Sequence, residues 1–185
     1  FAAAYGEKFT SVNYLEQLPE EGKSAFEMQR RVMDQAAAEA PLERISVLGG
    51  GPFLGLAREC ALKLDEVAGL RTKSCSPLEM RHGPHVAVGE SDFIVLLHST
   101  SALEAEMQLL GEMKNRGART LVLSEKREQL FDSAADFAVL AGRGLPEHCR
   151  GILYLPFMQY LACRIALNRD IDPDNIEDIN RVVVL

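Results

Sequence analysis

The sequence predicts an α/β protein built on a parallel sheet with helices on both faces. Three observations indicate this class: strands alternate with amphipathic helices, each strand is apolar throughout, and Gly or Pro marks many of the junctions. A strand that is apolar on both sides needs cover on both faces, which helices between parallel strands supply. The 185 residues, of which 47% are hydrophobic, are sufficient for one well-buried domain.

Residues 1–40 are predicted to form lead-in helices that pack on this domain. The apolar residues of the first helix recur at helical spacing: Phe9, Val12, Leu15 and Leu18. In the segment SAFE, Ser24 and Glu27 match a capping box, which predicts the start of a second helix. That helix should run to about Ala40, because Pro41 disfavours helical geometry in the residue before it.

The domain itself is predicted to span 41–185 and to begin with a strand, a glycine turn and a helix. The strand is RISVLGGG and the helix FLGLARECALKLDEVAG, which should end on Gly69 in a left-handed conformation. A short second strand, LRTKSC, follows. These elements form the first half of a doubly wound sheet.

The second half supplies three more strands, DFIVLLHS, RTLVLS and DFAVLA. The helix SALEAEMQLLGEMKNRG connects the first two, and its Ser101 and Glu104 match another capping box. A long apolar helix, PEHCRGILYLPFMQYLACRIALNRD, comes last. We therefore expect a doubly wound, flavodoxin-like parallel sheet of five strands in a single domain.

Charge and composition exclude several functions. A net charge of −7 argues against nucleic acid or an anionic membrane as a partner, because both are bound mainly by excess Lys and Arg. The four cysteines, Cys60, Cys75, Cys149 and Cys163, lack zinc-site spacing, so we expect reduced thiols, no metal site and a cytoplasmic location. No apolar run is long enough for a membrane helix.

Ligands of open parallel sheets bind beyond the carboxyl ends of the strands, where three segments of this chain are predicted to lie. The first, GGGPF, contains Gly50 and Gly51; it is explained either as an anion-binding turn at a helix N-terminus or as a turn needed for tight packing. The third, HSTSALEAE, offers the hydroxyls of Ser99, Thr100 and Ser101 to a phosphate, although Ser101 is equally explained as a helix cap.

The second of these segments, SPLEMRHGPH, concentrates ionisable groups between two prolines. Its Ser-Pro-Leu-Glu start makes Glu79 a predicted capping residue, whereas His82 precedes Gly83 in a turn that should expose the imidazole. On the preceding helix, Lys63 and Glu66 lie three residues apart on one face, near the end where the helix dipole disfavours a carboxylate. That pair is explained either as a solvated charged face or as part of an active site.

Three motifs together resemble a known family: the glycine turn at 49–51, ALKLDE at 61–66 and LEMRHGP at 78–84. They are similar to the second sugar isomerase (SIS) domain of two-domain phosphosugar enzymes, such as the isomerase half of glucosamine-6-phosphate synthase and the fructosamine-6-phosphate deglycases. The similarity covers nearly all of the chain. It implies a SIS domain that needs no cofactor.

The resemblance also implies roles for individual residues. Glu66 matches the base that moves a proton between C1 and C2 of an open-chain sugar phosphate, and His82 matches the histidine that assists ring opening. Lys63 matches a lysine of the same site, and Arg81 is a further candidate contact for the substrate. The family's histidine reaches into the partner's site, which implies a homodimer with His82 shared across the interface.

The chain departs from the family pattern in two places. The family's C-terminal catalytic lysine has no counterpart in EDINRVVVL, where Asn180 and Arg181 stand nearest. The Ser- and Thr-rich phosphate loop belongs to the family's first SIS domain. Either the phosphate binds at HSTS and GGG of this chain, or this domain is the second half of a two-SIS protein, which the start at Phe1 favours. Two alternatives to a phosphosugar isomerase acting through an enediol or enediolamine remain: a fructosamine-6-phosphate deglycase, or a non-catalytic module that senses a sugar phosphate or supports another domain's site.

Overall fold

The computed structural model describes residues 12–40 and 44–174, apart from the side chains of 12 and 13. It contains a five-stranded sheet in which every pair of neighbouring strands is parallel, in the order β2-β1-β3-β4-β5. The strands are β1 (Arg44–Gly49), β2 (Thr72–Cys75), β3 (Asp92–Leu97), β4 (Arg119–Ser124) and β5 (Phe137–Leu140). This order is that of a flavodoxin-like doubly wound sheet, so the predicted fold class is confirmed.

Seven α-helices lie in the described part of the chain. They are α1 (Val12–Leu15), α2 (Leu18–Glu39), α3 (Phe53–Ala68), α4 (Pro77–Arg81), α5 (Leu103–Asn115), α6 (Phe131–Ala134) and α7 (Glu147–Asn168). Two single 3-10 turns, Pro84–Ala87 and Thr100–Ala102, follow α4 and precede α5. Within 12–40 and 44–174, no helix is long and apolar enough to cross a membrane.

Side chains of β3 alternate between two hydrophobic cores. Phe93, Val95 and Leu97 pack into a core that α2, α3 and α7 cover, and Ile94 and Leu96 pack into a second core under α5 and α6. All six residues of β3 are buried, as expected for a central strand covered on both faces. The helical layers therefore leave the ends of the sheet, rather than its faces, for binding.

The helix α2 begins earlier than the sequence predicts. It starts at Leu18 with Pro19 in its first turn, and the exposed Ser24 and Glu27 lie inside it, so the capping box expected there is wrong. Proline supplies the helical φ angle, and Glu20 and Glu21 in the first turn complement the helix dipole. The predicted end is confirmed, since α2 stops at Glu39 and Ala40 is extended, as suits a residue before proline.

The expected lead-in helix is short. Only Val12–Leu15 is helical before α2 starts, and Phe9 lies outside the described residues. From α2, Met33, Ala36 and Ala37 are buried in the same core as the sheet. The helix α2 therefore packs against the same core as the sheet.

Candidate functional site

The strand order creates a crevice at one edge of the sheet. The chain leaves β1 toward β2 on one side and leaves β3 toward β4 on the other, so the loops after β1 and β3 diverge at their carboxyl ends. A cavity of about 360 Å³ lies there. Its walls come from the turn after β1, the start of α4 and the start of α5: Gly50, Gly51, Ser76, Pro77, Leu78, Arg81, Ala102, Ala105, Glu106 and Leu109. We call it the switch-point cavity.

The geometry of the glycine turn after β1 supports tight packing, one of the two explanations that the sequence left open. A Cβ on Gly49 would lie 2.4 Å from the carbonyl oxygen of Phe53, so close packing requires glycine there. Gly51 has a φ of 51°, in the left-handed region that favours glycine. Gly50 and Gly51 also line the switch-point cavity, so the turn both packs tightly and faces open space.

A buried glutamate forms one wall of this cavity. Oε2 of Glu106 lies 2.7 Å from Nδ1 of His98 and accepts a hydrogen bond of 2.9 Å from the amide of Ser99. Glu106 is only 2% exposed and His98 only 3%, and the His98 ring packs edge-on against Phe131. The contacts on Oε2 hold the carboxyl group in one orientation.

The loop after β3 contains Ser99, Thr100 and Ser101, and we call it the hydroxyl loop. It binds a carboxylate of the same chain. Glu147, the first residue of α7, accepts hydrogen bonds from Oγ of Ser99 at 2.9 Å and from the amide of Thr100 at 3.0 Å. Ser101 Oγ lies 3.0 Å from Ser99 Oγ. The predicted capping role of Ser101 is wrong, because a 3-10 turn occupies 100–102 and α5 begins at Leu103 without a side-chain cap.

A buried arginine supports this loop from α7. Arg150 donates to Oγ1 of Thr100 at 2.7 Å and to the carbonyl of Leu145 at 2.9 Å, and its Nη2 lies 3.0 Å from a carboxylate oxygen of Glu125. Burial raises the pKa of Tyr154, one turn along α7. Arg150 is therefore paired with Glu125 within the chain and also holds Thr100 in place.

The segment SPLEMRHGPH folds as predicted at its start. Ser76 and Glu79 form the expected capping box: Oγ of Ser76 accepts from the amide of Glu79 at 3.1 Å, and the Glu79 carboxylate accepts from the amide of Ser76 at 2.7 Å. That amide holds the pKa of Glu79 below its usual value. The imidazole of His82 is exposed at the end of α4, in agreement with the prediction for the turn.

The lysine and glutamate of ALKLDE form an ion pair on α3. Nζ of Lys63 lies 2.5 Å from Oε2 of Glu66 and 3.7 Å from Oε1 of Glu59. The hydrogen bond to Glu66 raises the pKa of Lys63. The Glu66 side chain keeps 40% of its surface exposed, so a ligand or another protein surface can reach it.

The predicted site residues fall into two groups that this chain does not bring together. Gly50, Gly51 and Arg81 share the switch-point cavity, with Ser99–Ser101 beside it at the same edge of the sheet. Glu66 lies thirteen residues along α3 from Phe53, roughly 20 Å from the glycine turn at a rise of about 1.5 Å per residue. No hydrogen bond or ion pair joins Glu66 to His82 among the described residues.

Sequence reasoning missed Glu106, Glu147 and Arg150. A signal existed for Glu106, which stands in the apolar stripe of α5, three residues before Leu109 and four before Leu110, where a charged residue is unexpected. Glu147 and Arg150 give no comparable signal, because their partners lie in loops distant in sequence. In 12–40 and 44–174, no group of His, Cys, Asp or Glu is arranged to hold a metal ion.

Doubly wound domains commonly bind small molecules at the switch point, and the cavity found there has the size of such a ligand site.

No protein-family model matches the chain. D-galactosamine-6-phosphate deaminase AgaS of Shewanella sp. (strain ANA-3) is 31% identical over 153 residues, which are 79% of this chain and 37% of that protein. Glutamine–fructose-6-phosphate aminotransferase (isomerizing) of Haemophilus ducreyi is 25% identical over 175 residues, 94% of this chain and 28% of that protein.

Solved structures have the same fold. The tagatose-6-phosphate ketose/aldose isomerase from Escherichia coli matches with a TM-score of 0.73 and 22% identity, over 84% of this chain and 44% of that one. The sugar isomerase domain of the RpiR transcription factor from Sphaerobacter thermophilus matches with a TM-score of 0.68 and 17% identity, over 87% and 92%. The chain belongs to the sugar isomerase (SIS) domain family. It spans 28% and 37% of the two relatives compared above.

Proposed function

We propose that this chain carries the proton-transfer residues of an enzyme that isomerises or deaminates a ketose, aldose or amino-sugar 6-phosphate. The observation that carries the proposal is the Lys63–Glu66 pair, held at 2.5 Å on a side of α3 that leaves the carboxylate accessible. The names of the relatives, a galactosamine-6-phosphate deaminase and an isomerising aminotransferase, support this class of substrate.

In the proposed reaction, Glu66 removes the proton from the carbon next to the carbonyl or imine group of the open-chain sugar. As the electron pair moves into an enediol or enediolamine, the carbonyl oxygen or imine nitrogen takes up a proton. The protonated Glu66 then gives its proton to the former carbonyl or imine carbon, and the hydroxyl or amino group on the first carbon loses one. Lys63 donates to the Glu66 carboxylate and fixes its direction. For an amino sugar, addition of water to the resulting ketimine releases ammonia and leaves the ketose phosphate.

His82 is proposed to open the sugar ring in a site that this chain shares. Its imidazole is exposed on the turn after α4, and imidazole can exchange protons with a ring oxygen near neutral pH. Because His82 has no contact with Glu66 in the same chain, we propose that a second copy or another SIS domain supplies the missing contacts. We also propose a homodimer in which His82 reaches the partner's site.

A sugar-phosphate-sensing module is the second candidate. One observation favours it: among the described residues, no hydrogen bond or ion pair joins Glu66 to His82, so this chain does not bring the predicted base and the ring-opening histidine together. The similarity in fold to the sugar isomerase domain of a transcription factor is consistent with this role. Such a module needs sugar contacts but no proton transfer.

Proton exchange separates the two candidates. The protein is incubated in heavy water with fructose 6-phosphate, fructosamine 6-phosphate or galactosamine 6-phosphate, and NMR follows the protons at C1 and C2, while ammonia release is assayed separately. Glu66→Gln should lower exchange by about 10²-fold or more, the usual contribution of a positioned base. Glu59→Gln is the matched control, since Glu59 also lies beside Lys63 on α3, and it should stay within about threefold.

The pattern of loss decides the outcome. Exchange that disappears only in Glu66→Gln supports the enzyme, and the accepted substrate distinguishes isomerase, deglycase and deaminase. Binding of a hexose phosphate without exchange favours the sensor. Equal loss in both variants would contradict the role given to Glu66.

A further inference from the structure

We infer that a pocket at the amino ends of the strands binds a small organic phosphate, whose phosphate group lies between Arg71 and Lys73. The pocket has a volume of about 480 Å³, in the range of small-molecule sites. It lies at the starts of β1, β2 and β3, at the opposite end of the strands from the switch-point cavity. We call it the amino-end pocket, and the residues that carry the inference are Ser46, Arg71, Lys73, Met80, Pro84 and Val88.

Two cations of this pocket are available to an anion. Arg71 directly precedes β2 and Lys73 is its second residue, so both side chains lie on one face of this edge strand, roughly 7 Å apart at a rise of about 3.3 Å per residue. Both residues are exposed, and within 12–40 and 44–174 neither forms an ion pair. Asp92, the acidic residue of the pocket, is already paired with Arg44 at 2.8 Å. The pocket therefore has an excess of positive charge, although the net charge of the chain is −7.

A buried hydroxyl faces the same space. Ser46 interrupts the apolar run of β1 and is paired with Lys73 in the parallel register, so the two side chains lie on the same face of the sheet. The residue is only 7% exposed, and its hydroxyl has no hydrogen-bond partner in the described part of the chain. A buried polar group without a partner is costly, and a phosphate oxygen would accept from this one. The floor of the pocket thus offers a donor beside the cations.

The remaining wall is apolar and belongs to the segment that carries His82. Met80, Pro84, Ala87 and Val88 line the pocket, and Met80 and Pro84 stand two residues before and two after His82. Apolar contact favours a phosphate with a carbon body over inorganic phosphate. A ligand that touches both flanking residues would also restrain the turn on which the imidazole of His82 stands. The binding itself does not depend on the proposed function.

The test is a titration of the labelled protein with phenyl phosphate, followed by NMR. We expect saturable shifts at the amides of Ser46, Lys73 and Val88, and weaker binding of inorganic phosphate. Arg71→Gln should lower the affinity about tenfold or more, because a hydrogen bond to a charged group contributes about 1.5 to 3 kcal/mol. Arg31→Gln is the matched control: it removes the same charge from an exposed position on α2, which packs on the other face of the sheet, and should stay within about twofold.

A second variant changes the pocket without changing its charge. Ser46→Val fills the floor with a side chain that suits a strand, so the affinity should fall while the fold is kept. Equal loss in Arg71→Gln and Arg31→Gln, or unchanged affinity in Ser46→Val, would mean that the phosphate binds through general surface charge and would overturn the inference. Shifts confined to Gly50 and Gly51 would overturn it as well, because they would place the ligand in the switch-point cavity.

The ring signals of His82 test the link to the turn. They should shift together with the amides of the pocket, and ring signals that stay fixed at saturation would contradict the restraint on His82. These readouts are independent of proton exchange by Glu66, so their failure and the failure of the proposed function are distinguishable.

Discussion

The carboxylate of Glu147 accepts a hydrogen bond of 3.0 Å from the backbone amide of Thr100, although 47 residues separate the two in sequence. The contact joins the start of α7 to the loop after β3. Ser99 adds a second hydrogen bond to the same carboxylate, at 2.9 Å. A loop whose composition suggests phosphate binding is thus held by a carboxylate of its own chain.

Replacing Glu147 with Ala should lower the free energy of unfolding by about 1 to 3 kcal/mol, because the buried Ser99 hydroxyl and the Thr100 amide lose their acceptor. Urea denaturation measures the change. Glu104→Ala, an exposed position on α5, should stay within about 0.5 kcal/mol. Equal changes in the two variants would mean that the contact contributes nothing to stability.

Substitution with alanine should destabilise one of two adjacent glycines far more than the other. Gly49→Ala brings a methyl group to 2.4 Å from the backbone oxygen of Phe53, so we expect a loss of about 2 kcal/mol or more. At Gly50 the nearest atom is a side-chain oxygen of Glu106 at 3.5 Å, and Gly50→Ala should change stability by about 0.5 kcal/mol or less. Thermal unfolding compares them, and a larger loss at Gly50 would contradict the close packing of the turn.

Asp136 should make the protein's stability depend on pH in the acid range. Burial opposes its ionisation, but hydrogen bonds from Lys114 and from the amide and hydroxyl of Thr120 outweigh this, and the pKa is lowered from 3.8. A carboxyl group whose pKa is lower in the folded than in the unfolded protein stabilises the folded state fully at pH values above its unfolded pKa. That stabilisation is lost as the pH falls through its folded pKa.

We therefore expect Asp136→Asn to lower the free energy of unfolding by about 2 kcal/mol at pH 7. As the pH drops below 3.8, the difference in unfolding free energy between the variant and the wild type should shrink toward zero. Denaturation at several pH values tests this. Asp132→Asn, whose ion pair with Arg127 is exposed, should show little effect at any pH. A pH-independent difference at Asp136 would indicate lost packing rather than lost charge.

Cys60 should resist thiol reagents in the folded protein. Burial, with a smaller effect of Glu59, raises the pKa of its thiol to about 12, so the thiolate is scarce at pH 8. Iodoacetamide followed by peptide mass analysis should modify the partly exposed Cys163 first and reach Cys60 only in urea. Early labelling of Cys60 would show that α3 opens readily.

Local patterns predicted most elements of the fold. The five strands, the left-handed Gly69 at the end of α3 and the Ser76–Glu79 capping box are all confirmed, although β2, with the sequence TKSC, is neither apolar nor buried. The boxes expected at Ser24 and at Ser101 are wrong, although they have the same residue spacing. A capping pattern acts only where a helix begins, and that point depends on neighbouring turns and packing as well as on the pattern.

The sequence by itself determined the α/β class, the parallel sheet and the motifs that place the chain in its family, because alternating apolar strands and amphipathic helices bury their surfaces in few ways. Only the tertiary structure decided that Glu106 faces the cavity, that Glu147 binds the hydroxyl loop and that Gly50 and Glu66 lie at opposite ends of α3. These relationships join residues brought together by strand order and loop paths, for which sequence spacing contains no signal.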